Sequence, residues 1–375
     1  MKDILIPPHG TYAEIDLDVF CWNFKQIKEY IKPSAVAAVI KANAYGHGMI
    51  EISRESVRSG AAYLCAAYVQ EGLVLRKAGI DIPILLLVPV RLSEIEPALI
   101  GDLELTVDSY EDACAISVAA VRLHKEAAIH IFVDTGMHRM GVQWENAINV
   151  ITKIATLPKI FIKGIYTHFS SADTSDAVIT YKELERFIMV LSQLPFSIPV
   201  IHTACSAAVV KLKESYFTMV RPGFALYGFN EADDVYYKDL QLKPVLSLKS
   251  YVAEVQKYKA YERFGYSLTY QIPEPRWIAV VPAGYADGVD RRFSNNGEVL
   301  INGRRFPMVG IVSMDTVLID VGSDETVKPG DEVVFIGKQG SEEITIHQWC
   351  EKLQTIPYEI TCSISSRVER RYKKS

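Results

Sequence analysis

The strongest constraint on this chain is an alternation that repeats along its first two thirds. Short apolar runs lie at Val36–Ile40, Ala62–Ala66, Ile82–Val88, Leu103–Val107, Ala128–Val133, Phe161–Thr167, Pro199–His202 and Tyr216–Val220. Runs this short and this apolar suit strands buried on both faces. Between most of them lie amphipathic stretches of helical spacing, such as Val69–Ala78, Tyr110–His124, Trp144–Leu157 and Asp176–Leu194. A further helix is expected over Asp18–Ile31, where Phe20, Phe24, Ile27 and Ile31 recur near the helical period. Thr11–Ile15 reads as a leading strand. About eight strand–helix units result, the number that closes a (β/α)8 barrel of the TIM type. A doubly wound open sheet is the alternative if one strand is misread.

From about Lys243 the pattern changes. Leu246–Val255, Trp277–Val281, Glu298–Ile301, Arg305–Val312, Val317–Val321 and Glu332–Ile336 read as short strands. Asn302-Gly303 predicts a hairpin turn, and Pro329-Gly330-Asp331 another turn. Thr345–Leu353 reads as a helix. The expected architecture is an α/β barrel over residues 11–240, followed by a mostly β domain over 241–375, which residues 1–10 are free to join.

The totals limit the function. With 375 residues and 49% hydrophobic content, the chain can bury a large core. A net charge of -5 argues against a nucleic-acid surface. The basic run Arg370–Lys374 reads as a solvated tail. The six cysteines show no CxxC and no metal spacing, so no metal site is expected. They read as reduced thiols of a cytoplasmic protein. No apolar stretch is long enough to span a bilayer, and the first apolar run is too short for a signal peptide.

Barrel enzymes place their chemistry at the carboxyl ends of the strands. Here those ends are polar. The first strand ends at Lys41, the fifth runs into Asp134-Thr135-Gly136-Met137-His138-Arg139, and the sixth ends in Thr167-His168. The seventh ends in His202-Thr203-Ala204-Cys205-Ser206 and the eighth in Arg221-Pro222-Gly223. A lysine at the end of a buried strand is partly desolvated, which favours the neutral amine that forms Schiff bases. Taken alone, a lysine snorkelling at a core rim gives the same pattern. Ser206 and Gly223 follow strands seven and eight, where barrel phosphate sites form, although Ser206 also suits a plain helix cap. In the second domain, Tyr266 and Tyr285 suit ordinary β aromatics, and Tyr266 also suits an acid/base.

The strings KANAYGHG, DTGMHRMG, THFSSAD, HTACSAA, VRPGFALYG, GYSLTY, GYADGVDR and VGIVSMD stand here in one order and span nearly the whole chain. In that order and spacing they resemble the alanine racemases, pyridoxal-phosphate enzymes of fold type III. The resemblance implies an eight-stranded barrel, a β domain and a head-to-tail homodimer whose sites draw on both chains. It implies racemisation of alanine, supplying D-alanine for peptidoglycan. Lys41 would carry the pyridoxal phosphate and act as one base, and Tyr266 of a second copy would act as the other. Arg221 would face the pyridine nitrogen, with His168 bonded to it. Tyr45, Ser206, Gly223 and Phe224 would bind the phosphate. Arg139 and the Met314 backbone would bind the substrate carboxylate, and Tyr285 would line the entrance.

Three positions depart from the family pattern. Phe132 stands where many members have a lysine that becomes carbamylated to orient the arginine. Ser366 stands where a tyrosine often touches the phosphate and crowds the substrate side chain. Ser313 stands where a cysteine often precedes the methionine. Ser366 opens a second reading, a serine or broad-specificity racemase. A non-catalytic pyridoxal-phosphate carrier on the same barrel is a third, which the second domain argues against.

Overall fold

The structure, a computed structural model, describes residues 10–229 and 240–374. The expected joining of residues 1–10 to the second domain falls, but for Gly10, outside these described residues. By contacts the chain forms two units. Among the described residues, one holds residues 19–44, 48–229 and 240–243, the other residues 10–18, 45–47 and 244–374.

The larger unit is a closed barrel. Its eight parallel strands are Ala35–Val39, Tyr63–Ala66, Ile84–Leu86, Glu104–Val107, Ala127–Asp134, Ile160–Tyr166, Val200–His202 and Met219–Val220. Each pairs with the next, and the eighth closes on the first through Met219↔Ala35 and Val220↔Val36. The open sheet is thereby excluded. The strands formed because their side chains are buried on both faces. Ala37, Ala38, Leu64, Leu85, Leu105, Ile129, Ile131 and Ile165 are fully buried. At about 25 cal/mol per Å², each buried Leu or Ile side chain among them contributes roughly 1.5–3 kcal/mol. Helices at Leu17–Tyr30, Met49–Ser59, Val69–Lys77, Tyr110–Arg122, Ala147–Ile154 and Val178–Ser192 wrap the outside. Ser109 caps the Tyr110 helix by accepting from the Asp112 N–H.

An aromatic stack fills the barrel below its carboxyl rim. The Phe132 ring lies 4.6 Å from Tyr166 and nearly parallel to it. Tyr166 lies 4.7 Å from His202 on the same terms, and the Arg221 guanidinium sits 5.0 Å over the Tyr166 ring. Phe132 is therefore a packed core residue.

The smaller unit is built on one sheet, ten-stranded among the described residues. Its order is 254–258, 276–281, 317–322, 304–309, 298–301, 332–339, 246–251, 12–16 and 369–373, with 342–344 paired to 332–339. Asn302 and Gly303 have positive φ of 51° and 71°, as the two centres of a tight hairpin require. Ile346–Leu353 is a helix, capped by Thr345 and Gln348.

Two differences from the sequence reading stand out. The leading strand, counted with residues 11–240, belongs to the second unit. Tyr12–Asp16 pairs antiparallel with Leu246–Tyr251, from Tyr12↔Lys249 through Ile15↔Leu246, and parallel with Glu369–Lys373. The basic end is likewise no solvated tail. Glu369–Lys373 is the edge strand of the sheet, and Arg370 donates to the carbonyls of Gly46, Ile364, Ser365 and Val368. A charged strand at a sheet edge discourages pairing with other chains.

Candidate active site

The carboxyl end of the barrel gathers most of the residues singled out above. Strand one delivers Lys41. Immediately after it Ala42, Asn43, Ala44 and Tyr45 all have φ between 52° and 55°, a left-handed turn of non-glycine residues. Such a turn costs about 1–2 kcal/mol per residue, so its surroundings must hold it. Glu71 accepts from the Ala42 N–H at 2.7 Å, and the Asn43 side chain accepts from Met49 N–H at 2.8 Å. The Ala44 N–H reaches back to Ile40. Gly46 then has no room for a side chain, since a Cβ there would lie 2.0 Å from the Thr361 carbonyl oxygen. Tyr45 and Gly46 fall by contacts in the smaller unit, where the Tyr45 ring meets Tyr358 at 5.5 Å.

Strand eight delivers Arg221, which is buried. Its Nη1 donates to the His202 carbonyl at 2.8 Å and to His202 Nδ1 at 2.6 Å. Its Nη2 faces the carbonyls of Thr167 and Thr203 at 2.8 and 3.0 Å, and His168 Nδ1 at 3.3 Å. One guanidinium thus ties together the ends of strands six, seven and eight. The terminal N–H groups are consumed in doing so, and among the described residues the Nε–H has no partner. The one remaining donor is a fit for a neutral aromatic nitrogen or another acceptor brought in by a ligand.

His168 is half-buried. Burial first, then the charges of Arg221, Arg139 and Lys41, push its imidazole down to about 3. It is therefore neutral at working pH. The same causes show that all three cations converge on it, which makes this end of the barrel attractive to anions. Arg139 is exposed, and among the described residues it makes no hydrogen bond or ion pair. Its loop is held instead by Asp134, which accepts from the backbone of Gly136 and His138 and from the His138 and Gln143 side chains.

Ser206 is the first residue of the helix Ser206–Lys211, and Cys205 stands at the cap position without a side-chain cap bond. The Ser206 hydroxyl accepts from the N–H groups of Gly223 at 3.0 Å and Ala225 at 3.2 Å. It thus joins the turns after strands seven and eight. Phe224 opens the short helical turn Phe224–Tyr227 and is buried.

Tyr266, Tyr285 and Met314 lie in the smaller unit, each exposed. Their three loops are bonded to one another. Tyr285 N–H donates to Ser313 and Ala286 N–H to the Met314 carbonyl. Asn295 accepts from Gly310 N–H and donates to Thr269. Gly265, at φ 72°, abuts Gly310 so closely that a Cβ would lie 3.3 Å from its Cα. Arg367 clamps the group, bonding both oxygens of the buried Asp287 and also Asp315.

Residues 15–231 match the family model for the alanine racemase N-terminal domain, and residues 245–372 match that for the C-terminal domain. The chain belongs to the alanine racemase family. It is 42% identical to the alanine racemase of Methanococcus maripaludis, over 97% of this chain and 99% of that one. It superposes on the alanine racemase of Clostridium difficile 630 with a TM-score of 0.94 at 34% identity, covering 99% and 97% of the two chains. A histidine racemase from Leuconostoc mesenteroides shares the fold at a TM-score of 0.92 and 26% identity, over 98% and 99%. As a member of the alanine racemase family the chain is an isomerase that racemises amino acids.

Sequence reasoning missed several residues of this racemase. Glu104 and His130 continue a buried polar chain behind His202 and Arg221, and Arg367 and Asp287 clamp the loops of the smaller unit. A glutamate inside the apolar run Leu103–Val107 was the signal for the first, since buried carboxylates require partners.

Proposed function

We propose that this racemase interconverts L- and D-alanine with pyridoxal 5'-phosphate held at the carboxyl end of the barrel. The observation that carries the proposal is the convergence of Lys41, Arg139 and Arg221 on a neutral His168, with one Arg221 N–H left for a ligand acceptor. Bound there, pyridoxal phosphate supplies an electron sink that acidifies the substrate Cα–H. Lys41, at the end of strand one, would hold the group through its amine and would exchange a proton at the substrate Cα. Tyr266 of a second copy of the chain exchanges the proton on the opposite face. Two bases on opposite faces are what inversion at one carbon requires. Arg221 would offer its remaining N–H to the pyridine nitrogen, and because an arginine does not give up its proton that nitrogen would stay unprotonated. His168 accepts from Arg221 and helps hold it. The Ser206 hydroxyl, Tyr45 and the backbone at Gly223 and Phe224 bind the phosphate. Arg139 and the Met314 N–H bind the substrate carboxylate, and Tyr285 lines the way in. The protein acts as a homodimer in the cytoplasm and supplies D-alanine for peptidoglycan. Among the described residues no helix is long and apolar enough to cross a membrane.

The test is a direct one. Borohydride reduction of the yellow protein, followed by peptide mapping, should place the reduced pyridoxyl group on Lys41. Its appearance on any other lysine overturns the proposal.

Ser366 supports a second reading of the substrate range. It is exposed and small where the family often carries a tyrosine, and a racemase of the same fold is named for a much larger amino acid than alanine. We expect measurable serine racemisation, slower than that of alanine. Ser366→Tyr should reduce kcat/KM for serine more than for alanine. Equal losses on both substrates would assign the position to the phosphate and not to selectivity.

A further inference from the structure

A continuous hydrogen-bonded chain crosses the barrel interior behind Arg221. Lys163 on strand six pairs with Glu104 Oε1 at the amino end of strand four. Glu104 Oε2 lies 2.8 Å from His130 Nε2 on strand five. His130 Nδ1 lies 2.9 Å from His202 Nε2 at the end of strand seven. His202 Nδ1 lies 2.6 Å from Arg221 Nη1. Glu104, His130, His202 and Arg221 are all buried.

The two ends of this chain are chemically one-way. Arginine only donates, and a carboxylate paired with an ammonium only accepts. His202 must therefore accept at Nδ1, which puts its proton on Nε2. That proton points at His130 Nδ1, so His130 must accept there and carry its own proton on Nε2, aimed at Glu104. Each histidine holds one proton, and every bond runs from Arg221 toward Glu104. Reversing either ring sets donor against donor at Arg221 or lone pair against lone pair at Glu104.

We infer that Glu104 is a positioning residue for Arg221, acting by fixing the tautomers of His130 and His202 through the barrel core. The inference concerns the residues behind the pyridine-facing arginine and rests on the reading of Arg221 given above. The surrounding geometry is built for it. His130 sits opposite Gly164 in the sheet register, and a Cβ at Gly164 would lie 2.0 Å from His130 Nδ1. Only glycine there leaves the ring its place. Tyr63 meets His130 edge-on, and Tyr166 stacks on His202, so neither ring can turn freely. Burial opposes ionisation of Glu104, yet its bonds to His130 and Lys163 hold the carboxyl below its ordinary range. Burial foremost lowers both histidines, with Arg221 adding to it, which keeps them neutral. An unsatisfied end in such a buried network costs far more than an exposed one.

The experiment is nitrogen NMR of the holoenzyme labelled with 15N-histidine, between pH 6.5 and 8.5. His130 and His202, assigned from His130→Asn and His202→Asn spectra, should both appear as neutral Nε2–H tautomers. An Nδ1–H tautomer or an imidazolium at either position overturns the inference, whatever the activity. Glu104→Leu should let both tautomers mix, shift the absorption band of the bound cofactor and lower kcat about tenfold with KM for alanine little changed. Glu104→Asp should recover part of each. Lys163→Met should keep the wild-type tautomers, because the carboxylate still accepts. If Glu104→Leu lowers only the melting temperature and leaves tautomers, band and kcat unchanged, the role is structural and the inference fails. If Glu104→Leu does not fold, the wild-type and Lys163→Met spectra decide it. Failure of the borohydride test with the tautomers as expected would instead remove the cofactor reading and leave the buried chain intact.

Discussion

Co-refolded Lys41→Ala and Tyr266→Phe chains should regain activity that neither variant has alone. The expectation follows if each centre takes Lys41 from one chain and Tyr266 from the other. Homodimers of Lys41→Ala should be inactive, and those of Tyr266→Phe nearly so. In a mixed dimer one centre carries both defects and the other carries none. The intact centre combines Lys41 of the Tyr266→Phe chain with Tyr266 of the Lys41→Ala chain. With random pairing, half the dimers are mixed and activity returns to roughly a quarter of wild type. If both residues served one chain's own site, every centre of a mixed dimer would carry one defect and nothing would return. The exposure of the Tyr266 ring, 68% within its own chain, is what a residue meant for a second copy would show. Mass spectrometry of intact dimers establishes that mixing occurred. With mixed dimers present and activity absent, the shared centre is excluded.

The second large effect is on stability in acid. His130, His168 and His202 are all held below the ordinary histidine range, chiefly by burial, and His168 is brought to about 3. As the pH falls below about 6.5 the unfolded chain takes up a proton at each before the folded chain does. The unfolded state then binds more protons, so stability falls as the pH falls from 6.5 toward the folded values. His168 and His202, the two lowered furthest, each contribute a slope of about 1.4 kcal/mol per pH unit near pH 5, together about 3 kcal/mol per unit, and His130 adds to it only between pH 6.5 and its own folded value. Above pH 7 they contribute no slope. Urea unfolding at pH 7.0, 6.0 and 5.0 measures this. A slope at pH 5 no greater than that of one histidine would mean that His168 or His202 accepts a proton in the fold.

The barrel was legible because its strands are short apolar runs, all eight of which formed near the expected positions. Their polar ends were legible for the same reason, since a lysine, histidine or arginine closing a buried run stands out. What lay between the strands was not. Glu104, His130 and Gly164 sit on three different strands, and no local pattern announces that they meet. Phe132 could be read only as a missing lysine. The fold shows what replaced it, a ring stacked on Tyr166. The ends of the chain were misjudged for another reason. Tyr12–Asp16 alternates like any half-buried strand, but its partners lie more than 200 residues away and cannot be read from the pattern. Glu369–Lys373 is so charged that it looked like a tail, although charge is what an edge strand needs.

That distant pairing sets a timetable for synthesis. Tyr12 aligns with Lys249 on one side and Glu369 on the other. A ribosome adding about 5–20 residues per second needs from roughly 20 seconds to over a minute to pass from the first of these to the last. The barrel residues emerge in sequence and can close before either partner strand exists. Until Leu246–Tyr251 has emerged Tyr12–Asp16 has neither edge paired, and until Glu369–Lys373 follows it one edge stays bare. Slowing elongation over the last 130 or so codons lengthens the exposure of a bare strand edge, the state most open to capture by chaperones or by neighbouring nascent chains.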